Sequence, residues 1–214
     1  VNAGGGEPSL IALSDRTTYP DCDEHLKALM SAAKPGSVVV VLRDKESPLR
    51  ERFERGERLL RLARETGQRL VVSDRVDLAL ALGADGVHLP SDGLRADAVR
   101  ELPGMEERWI SRASHGWDLL PAVELAALDA LLVSPVFAER KGRSALGEEG
   151  LSVAARAVRV RAPELGIFAL GGANASHVAG AHAAGAEGLA VIGAVMSLEE
   201  RTPLLCALKI ARER

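Results

Sequence analysis

Two glycine-bearing turns late in the chain carry the residue types best suited to holding a ligand. Gly171-Gly172 follows the apolar run Ile167–Leu170, and Gly193 follows Gly188–Ile192. Glycine directly after a buried strand lets backbone N–H groups approach an anion with no side chain in the way. The same glycines would also serve plain tight turns. Arg43 and Lys45 lie two apart in LRDKE and share one face of an extended segment. Two converging cations suit an anionic ligand, although Asp44 or Glu46 is near enough to pair with Lys45. His115, shortly after Trp109–Ser111, is a residue type for acid–base work near neutral pH; a surface position is the alternative. Asp74 offers a carboxylate for a metal or cation, or a cap for the helix beginning VDLAL. His88 in GVHL reads as a core histidine donating to backbone, and His177 and His182 as surface residues of a helix. No His, Cys or carboxylate pair keeps a zinc-like spacing.

Strand-like runs alternate with amphipathic segments at a nearly constant step, and they must position these groups. The runs are Leu10–Ser14, Val38–Arg43, Arg69–Ser73, Gly86–Leu89, Trp109–Ser111, Ala130–Ser134, Ile167–Leu170 and Gly188–Ile192. Between them, segments such as Leu49–Glu65 and Leu151–Val160 carry apolar residues at helical spacing. Continuous apolar runs such as VVVVL read as strands buried on both faces. The alternation predicts a single (β/α)8 TIM barrel, with an open doubly wound sheet as runner-up. In a barrel, every group named above except the helix histidines falls at or near a strand's C-terminal end, where barrel chemistry sits. The longest irregular piece, Pro135–Gly150, reads as a mobile lid over that end or as a solvated connector.

The 214 residues suit one domain: a flexible leader over 1–8, then a single TIM-barrel domain over 9–214. The net charge of −3 is spread along the chain, and no polybasic block suggests nucleic acid or an anionic membrane. No apolar run reaches membrane-spanning length. Cys22 and Cys206 read as free thiols, which suits a reducing cytoplasm. The apolar outer helices are compatible with a homodimer and with a monomer alike.

From ALSDR (residues 12–16) to VIGAV (191–195) the chain resembles the thiamine-phosphate synthase and TenI family. The strand-one TDR of that family appears as Ser14-Asp15-Arg16, and its QLR-x-K as Val41-Leu42-Arg43-Asp44-Lys45. The block DRVDLALALGADGVHL at Asp74–Leu89 matches almost letter for letter and is the most specific signal. The histidine of S-x-H after strand five falls on His115, and the double glycine after strand seven on Gly171-Gly172. The resemblance implies a phosphate cup made by Gly171, Gly172, Ile192 and Gly193, with thiazole phosphate as its small phosphorylated partner.

Within the family, the synthase branch joins a pyrimidine diphosphate to a thiazole phosphate, releasing pyrophosphate with Mg2+. That reading places Asp74 and Asp92 on the metal, Arg43 and Lys45 on the diphosphate, and Lys141 as the closing lid lysine. Departures fall on this machinery. The second metal aspartate aligns with Gly93 beside Asp92, the serine of S-x-H is Ala113, and the T-x-T-K lid is Ala138-Glu139-Arg140-Lys141. Glu139 would bring negative charge toward a diphosphate. The TenI branch needs no cofactor: a histidine, here His115, moves a proton to aromatise a thiazole carboxylate phosphate, with Arg43 orienting the carboxylate. The departures place this isomerase first, the synthase second and a non-catalytic phosphate-ligand binder third.

Overall fold

The computed structural model describes residues 7–115, 120–140 and 142–212. Eight short strands form: β1 (Leu10–Leu13), β2 (Val38–Leu42), β3 (Arg69–Ser73), β4 (Gly86–Leu89), β5 (Trp109–Ser114), β6 (Ala130–Val133), β7 (Gly166–Leu170) and β8 (Gly188–Val191). Each pairs in parallel with the next, and β1 pairs with β8 (Leu10 opposite Leu189), so the sheet closes in the order β1 to β8. Closure excludes the open-sheet alternative. The helices α1 (Cys22–Ala32), α2 (Leu49–Thr66), α3 (Val76–Leu82), α4 (Ala96–Arg100), α5 (Ala122–Ala126), α6 (Gly147–Arg159), α7 (Val178–Ala183) and α8 (Leu198–Ala207) intervene and complete a (β/α)8 barrel.

Strand alternation builds two apolar layers. Ile11, Leu13, Val39, Val41, Val71, Leu132, Phe168 and Ala190 fill the barrel interior. Their neighbours Leu10, Ala12, Val38, Val40 and Leu42 face the helices and join a larger outer core. Burying each Val or Leu contributes roughly 1.5–3 kcal/mol, so the short strands are held by both faces at once. No helix among the described residues is long and apolar enough to cross a membrane.

Several expected boundaries move, most of them by one residue at a strand end. β5 runs three residues past Ser111 because Arg112, Ala113 and Ser114 pair with Leu131, Leu132 and Val133 of β6. α6 begins at Gly147 rather than Leu151, which shortens the irregular segment after β6. β8 ends at Val191, leaving Ile192 in the turn. Of the expected leader over 1–8, residues 1–6 lie outside the described residues.

Candidate active site

At the C-terminal ends of the strands lies a cavity of about 560 Å³ lined by Arg43, Lys45, His88, Asp92, His115, Arg140 and Arg143, among others. A second cavity of about 290 Å³ adjoins it, lined by Gly171, Gly172, Ala173, Gly193, Tyr19 and Arg140. Leu170, Ile192 and Arg140 line both, so they form the wall between them. A larger cavity, about 690 Å³, lies at the opposite end among strand starts such as Arg69, Trp109 and Gly166.

β2 delivers Arg43 and Lys45 because the intervening Asp44 turns into the wall. The Asp44 carboxylate accepts from Ser14 Oγ at 2.5 Å, from the Arg16 amide at 2.9 Å and from the buried Arg55 guanidinium. Burial opposes its charge, but these donors hold its carboxyl below the usual value. Ser14 Oγ in turn accepts the Arg43 amide at 2.9 Å, fixing the backbone of the first cation. Asp44 is therefore not the surface partner of Lys45. That partner is Asp74, 2.9 Å from Lys45 Nζ, with both side chains 40% exposed.

Asp74 does not cap α3; the N-cap position is Arg75, with no side-chain cap bond. Instead Asp74 sits at φ 70, a left-handed backbone rare for a residue with a side chain. The Arg75 amide donates to Ser73 O at 2.9 Å, making a three-residue turn centred on Asp74. The Asp74 amide donates to His88 O at 2.9 Å. The turn swings the carboxylate away from α3 and toward Lys45. Asp92 lines the mouth from the β4–α4 loop.

His88 corrects its sequence reading. It is buried, but its Nδ1 meets Ser111 Oγ at 2.9 Å rather than a backbone group, and the ring lines the mouth. Burial, reinforced by the charges of Lys45, Arg43 and Arg112, pushes its pKa down to about 4, so the ring is neutral at pH 7. His115 follows β5 directly. Its Nδ1 donates to Ser134 O at 2.6 Å, which orients the ring and leaves Nε2 as the basic nitrogen.

The cup is built from strand ends and loop together. Gly171 and Gly172 hold φ 108 and 71, conformations open to glycine. The loop after β6 lies directly against them: Val136 and Phe137 amides donate to Leu170 O and Gly171 O at 2.9 and 2.8 Å. Gly172 and Ala173 amides donate to no other backbone group among the described residues. In the loop after β6 Arg140 and Arg143 exchange backbone hydrogen bonds of 3.1 and 3.0 Å, and both arginines line the mouth. The predicted lid lysine, Lys141, lies outside the described residues. Glu139, whose charge would oppose a diphosphate, lines neither cavity. His177 is not merely a surface residue: it stacks on Phe137, with centroids 4.1 Å apart.

The mouth thus gathers Arg43, Lys45, Asp92, His115 and Ile192, with Asp74 reaching it through Lys45, and the cup gathers Gly171, Gly172, Ile192 and Gly193. Sequence reasoning missed Arg140 and Arg143 as mouth cations, Tyr19 beside Gly193, and His88 as a lining group. Two basic residues three apart around Gly142, in the loop after β6, were the available signal for the arginines.

The fold is thus a closed parallel (β/α)8 barrel that gathers cations, carboxylates and glycine turns at its strand ends. The chain belongs to the thiamine monophosphate synthase family, TMP-TENI, whose model matches residues 11–195. It is 37% identical over 174 residues to the thiamine-phosphate synthase of Moorella thermoacetica, covering 80% of each chain. It is 36% identical over 178 residues to that of Chloroflexus aurantiacus, covering 83% of this chain and 81% of the relative. The chain spans about half the length of the thiamine-phosphate synthases of Prochlorococcus marinus and Synechococcus that it also matches. The solved thiamine phosphate pyrophosphorylase from Pyrococcus furiosus superposes with a TM-score of 0.74 at 28% identity, over 94% of this chain and 93% of that one.

Proposed function

We propose that the protein is a thiamine-phosphate synthase that joins a pyrimidine diphosphate to a thiazole phosphate and releases pyrophosphate. The observation that carries this reading is the pair of adjoining cavities sharing one wall. A condensation needs two anionic substrates side by side, and the four cations Arg43, Lys45, Arg140 and Arg143 at the mouth exceed what the single carboxylate of an isomerisation substrate calls for. The relatives carry the synthase name, which reverses the order of readings reached from sequence.

In this reading Gly171, Gly172, Ile192 and Gly193 hold the thiazole phosphate through backbone amides. Arg43, Lys45, Arg140 and Arg143 face the diphosphate and offset the negative charge that grows on the departing pyrophosphate. Neutral His88 lines the pyrimidine side, where it serves as a hydrogen-bonding group rather than a charge.

Magnesium binds through one or two carboxylates while keeping waters and phosphate oxygens. Among the described residues no cluster of three or more His, Cys, Asp or Glu forms a protein-only cage. Asp92 lines the mouth and Asp74 stands at its edge, ion-paired to Lys45, so these two hard oxygen donors fit the looser demand. They would hold the ion, which when bound supplies charge neutralisation of the diphosphate. The unpaired Cys22 and Cys206 suit the cytoplasm as the compartment of this enzyme.

The TenI-like isomerase remains the second reading on one specific observation, the oriented ring of His115 with Nε2 as its basic nitrogen. Product analysis by mass separates the two. Purified protein receives pyrimidine diphosphate, thiazole phosphate and Mg2+, or the non-aromatic thiazole carboxylate phosphate alone. Thiamine phosphate from the first set is the expected result. Aromatisation in the second set alone, lost in His115→Ala, would overturn it.

A further inference from the structure

We propose that Arg52 and Arg112, two buried arginines outside the barrel wall, are positioning residues that aim the Asp74 and Asp92 carboxylates at the mouth. The role of the two carboxylates rests on the synthase reading; the anchoring itself rests on geometry.

Arg52 projects from α2 and is only 5% exposed. Its Nη2 donates to Ser73 O at 2.6 Å and to Leu42 O at 3.4 Å. Those carbonyls immediately precede Asp74 and Arg43. Ser73 O is also the acceptor of the turn centred on Asp74, so Arg52 braces the one strained turn at the mouth. A side chain held at positive φ persists only where its surroundings over-determine it. Here the Asp74 amide, the Arg75 amide and the Arg52 guanidinium all bear on that turn.

Arg112 does the same for the neighbouring loop. It points outward from β5, pairs with Glu124 of α5 at 3.0 Å, and both side chains are under 8% exposed, at 7% and 4%. Its Nη1 donates to Leu94 O and its Nη2 to Ser91 O, each at 2.8 Å, so it grips the loop on both sides of Asp92. Glu124 also accepts the first amide of α4 at 3.4 Å, closing the loop's far end.

The cost of burying these groups argues that they do more than pack. Neither Nε has a hydrogen-bond partner among the described residues. A buried charge left partly unsatisfied is expensive, and methionine would fill similar space. What a buried cation adds is a donor that ties two backbone carbonyls at once, through Nη2 alone in Arg52 and through Nη1 and Nη2 in Arg112. Arg52 thereby ties the residue directly before Asp74, and Arg112 ties residues on either side of Asp92.

The test uses Arg52→Met and the paired variant Arg112→Met/Glu124→Leu, which removes both members of the ion pair and leaves no orphaned charge. Mn2+ is the probe, titrated with pyrophosphate present and read by water-proton relaxation. Inorganic phosphate binding, read by calorimetry, is the control at the cup. Both variants should weaken Mn2+ by about 10–100-fold, as loss of groups supporting metal ligands does, while phosphate binding is unchanged. Arg52→Lys, which keeps a donor near Ser73 O, should restore most of the affinity. Amide exchange should quicken at 73–75 in the first variant and at 91–94 in the second, with strand amides still protected. Wild-type Mn2+ affinity in a variant, with or without a lowered Tm, would overturn the proposal for that arginine, since packing alone would then be its role. If Asp74→Asn and Asp92→Asn leave wild-type Mn2+ binding untouched, the metal assignment fails first. Unchanged exchange at both loops would overturn the anchoring even then.

Discussion

Gly172→Ala should damage both stability and the cup, by an amount the geometry sets. At φ 71 an alanine enters left-handed backbone, costing roughly 1–2 kcal/mol. Its Cβ would also stand 2.5 Å from Ala138 Cβ and 3.0 Å from the Ala138 amide nitrogen. Carbon atoms rest at about 3.5–4.0 Å, so the loop after β6 must retreat by roughly 1 Å. That retreat strains the 2.8 Å bond from Phe137 N to Gly171 O, worth about 1 kcal/mol net. The sum is about 2–3 kcal/mol, which for a domain of this size lowers Tm by roughly 5–10 °C. Melting with thiazole phosphate is the assay. At 100 times Kd the ligand should stabilise the wild type by about 2.7 kcal/mol and the variant hardly at all. Gly142→Ala is the control, since its φ is 72 but an added Cβ meets nothing within 4 Å. It should cost only the backbone part, about 1–2 kcal/mol, and leave the ligand shift intact. A Gly172→Ala protein that melts with the wild type and gains the same shift would refute this account of the cup.

Arg140 lines both cavities and Arg143 only the mouth, so Arg140→Ala should weaken both thiazole phosphate and pyrophosphate in calorimetry, each by about tenfold or more, as loss of a charge-assisted bond implies. Arg143→Ala should weaken pyrophosphate alone; the opposite pattern would mean the turn is placed wrongly. His88 has a pKa of about 4 against an ordinary 6.5, so the unfolded chain binds its proton first as pH falls. The stability it contributes is therefore complete above pH 6.5 and lost on descent toward pH 4, in total about 3 kcal/mol. Urea unfolding of wild type and His88→Gln across that range should diverge by this amount, and parallel curves would rule it out. His115→Ala should leave phosphate binding unchanged, and under the synthase reading should lower kcat far less than Arg140→Ala does; complete loss of turnover would return the histidine to the centre of the chemistry.

The apolar strands were readable because hydropathy reports burial, and VVVVL at Val38–Leu42 is buried along its whole length. β5 was read short for the opposite reason. Its sequence WISRAS buries polar groups, Ser111 against His88 inside the barrel and Arg112 against Glu124 outside it. No hydropathy pattern marks a strand satisfied by such pairs. The family motifs located most of the mouth, including Arg43, Lys45, Asp74 and His115. They did not tell which way neighbouring charges turn. Asp44 faces Arg55 and Asp74 faces Lys45 only because of contacts 11 and 29 residues apart in sequence. Tyr19 escaped notice because its proximity to Gly193 spans most of the chain.

The wall formed by Leu170, Ile192 and Arg140 gives the two cavities a thermodynamic conversation. One guanidinium cannot offer its full charge to two anions independently, so occupancy on one side changes what the other side experiences. Linkage requires the influence to be mutual: whatever factor thiazole phosphate imposes on pyrophosphate affinity, pyrophosphate imposes on thiazole phosphate. A competing inorganic anion in either cavity would then be felt in both, and raised ionic strength would weaken the message by screening the Arg140 charge that the two cavities share.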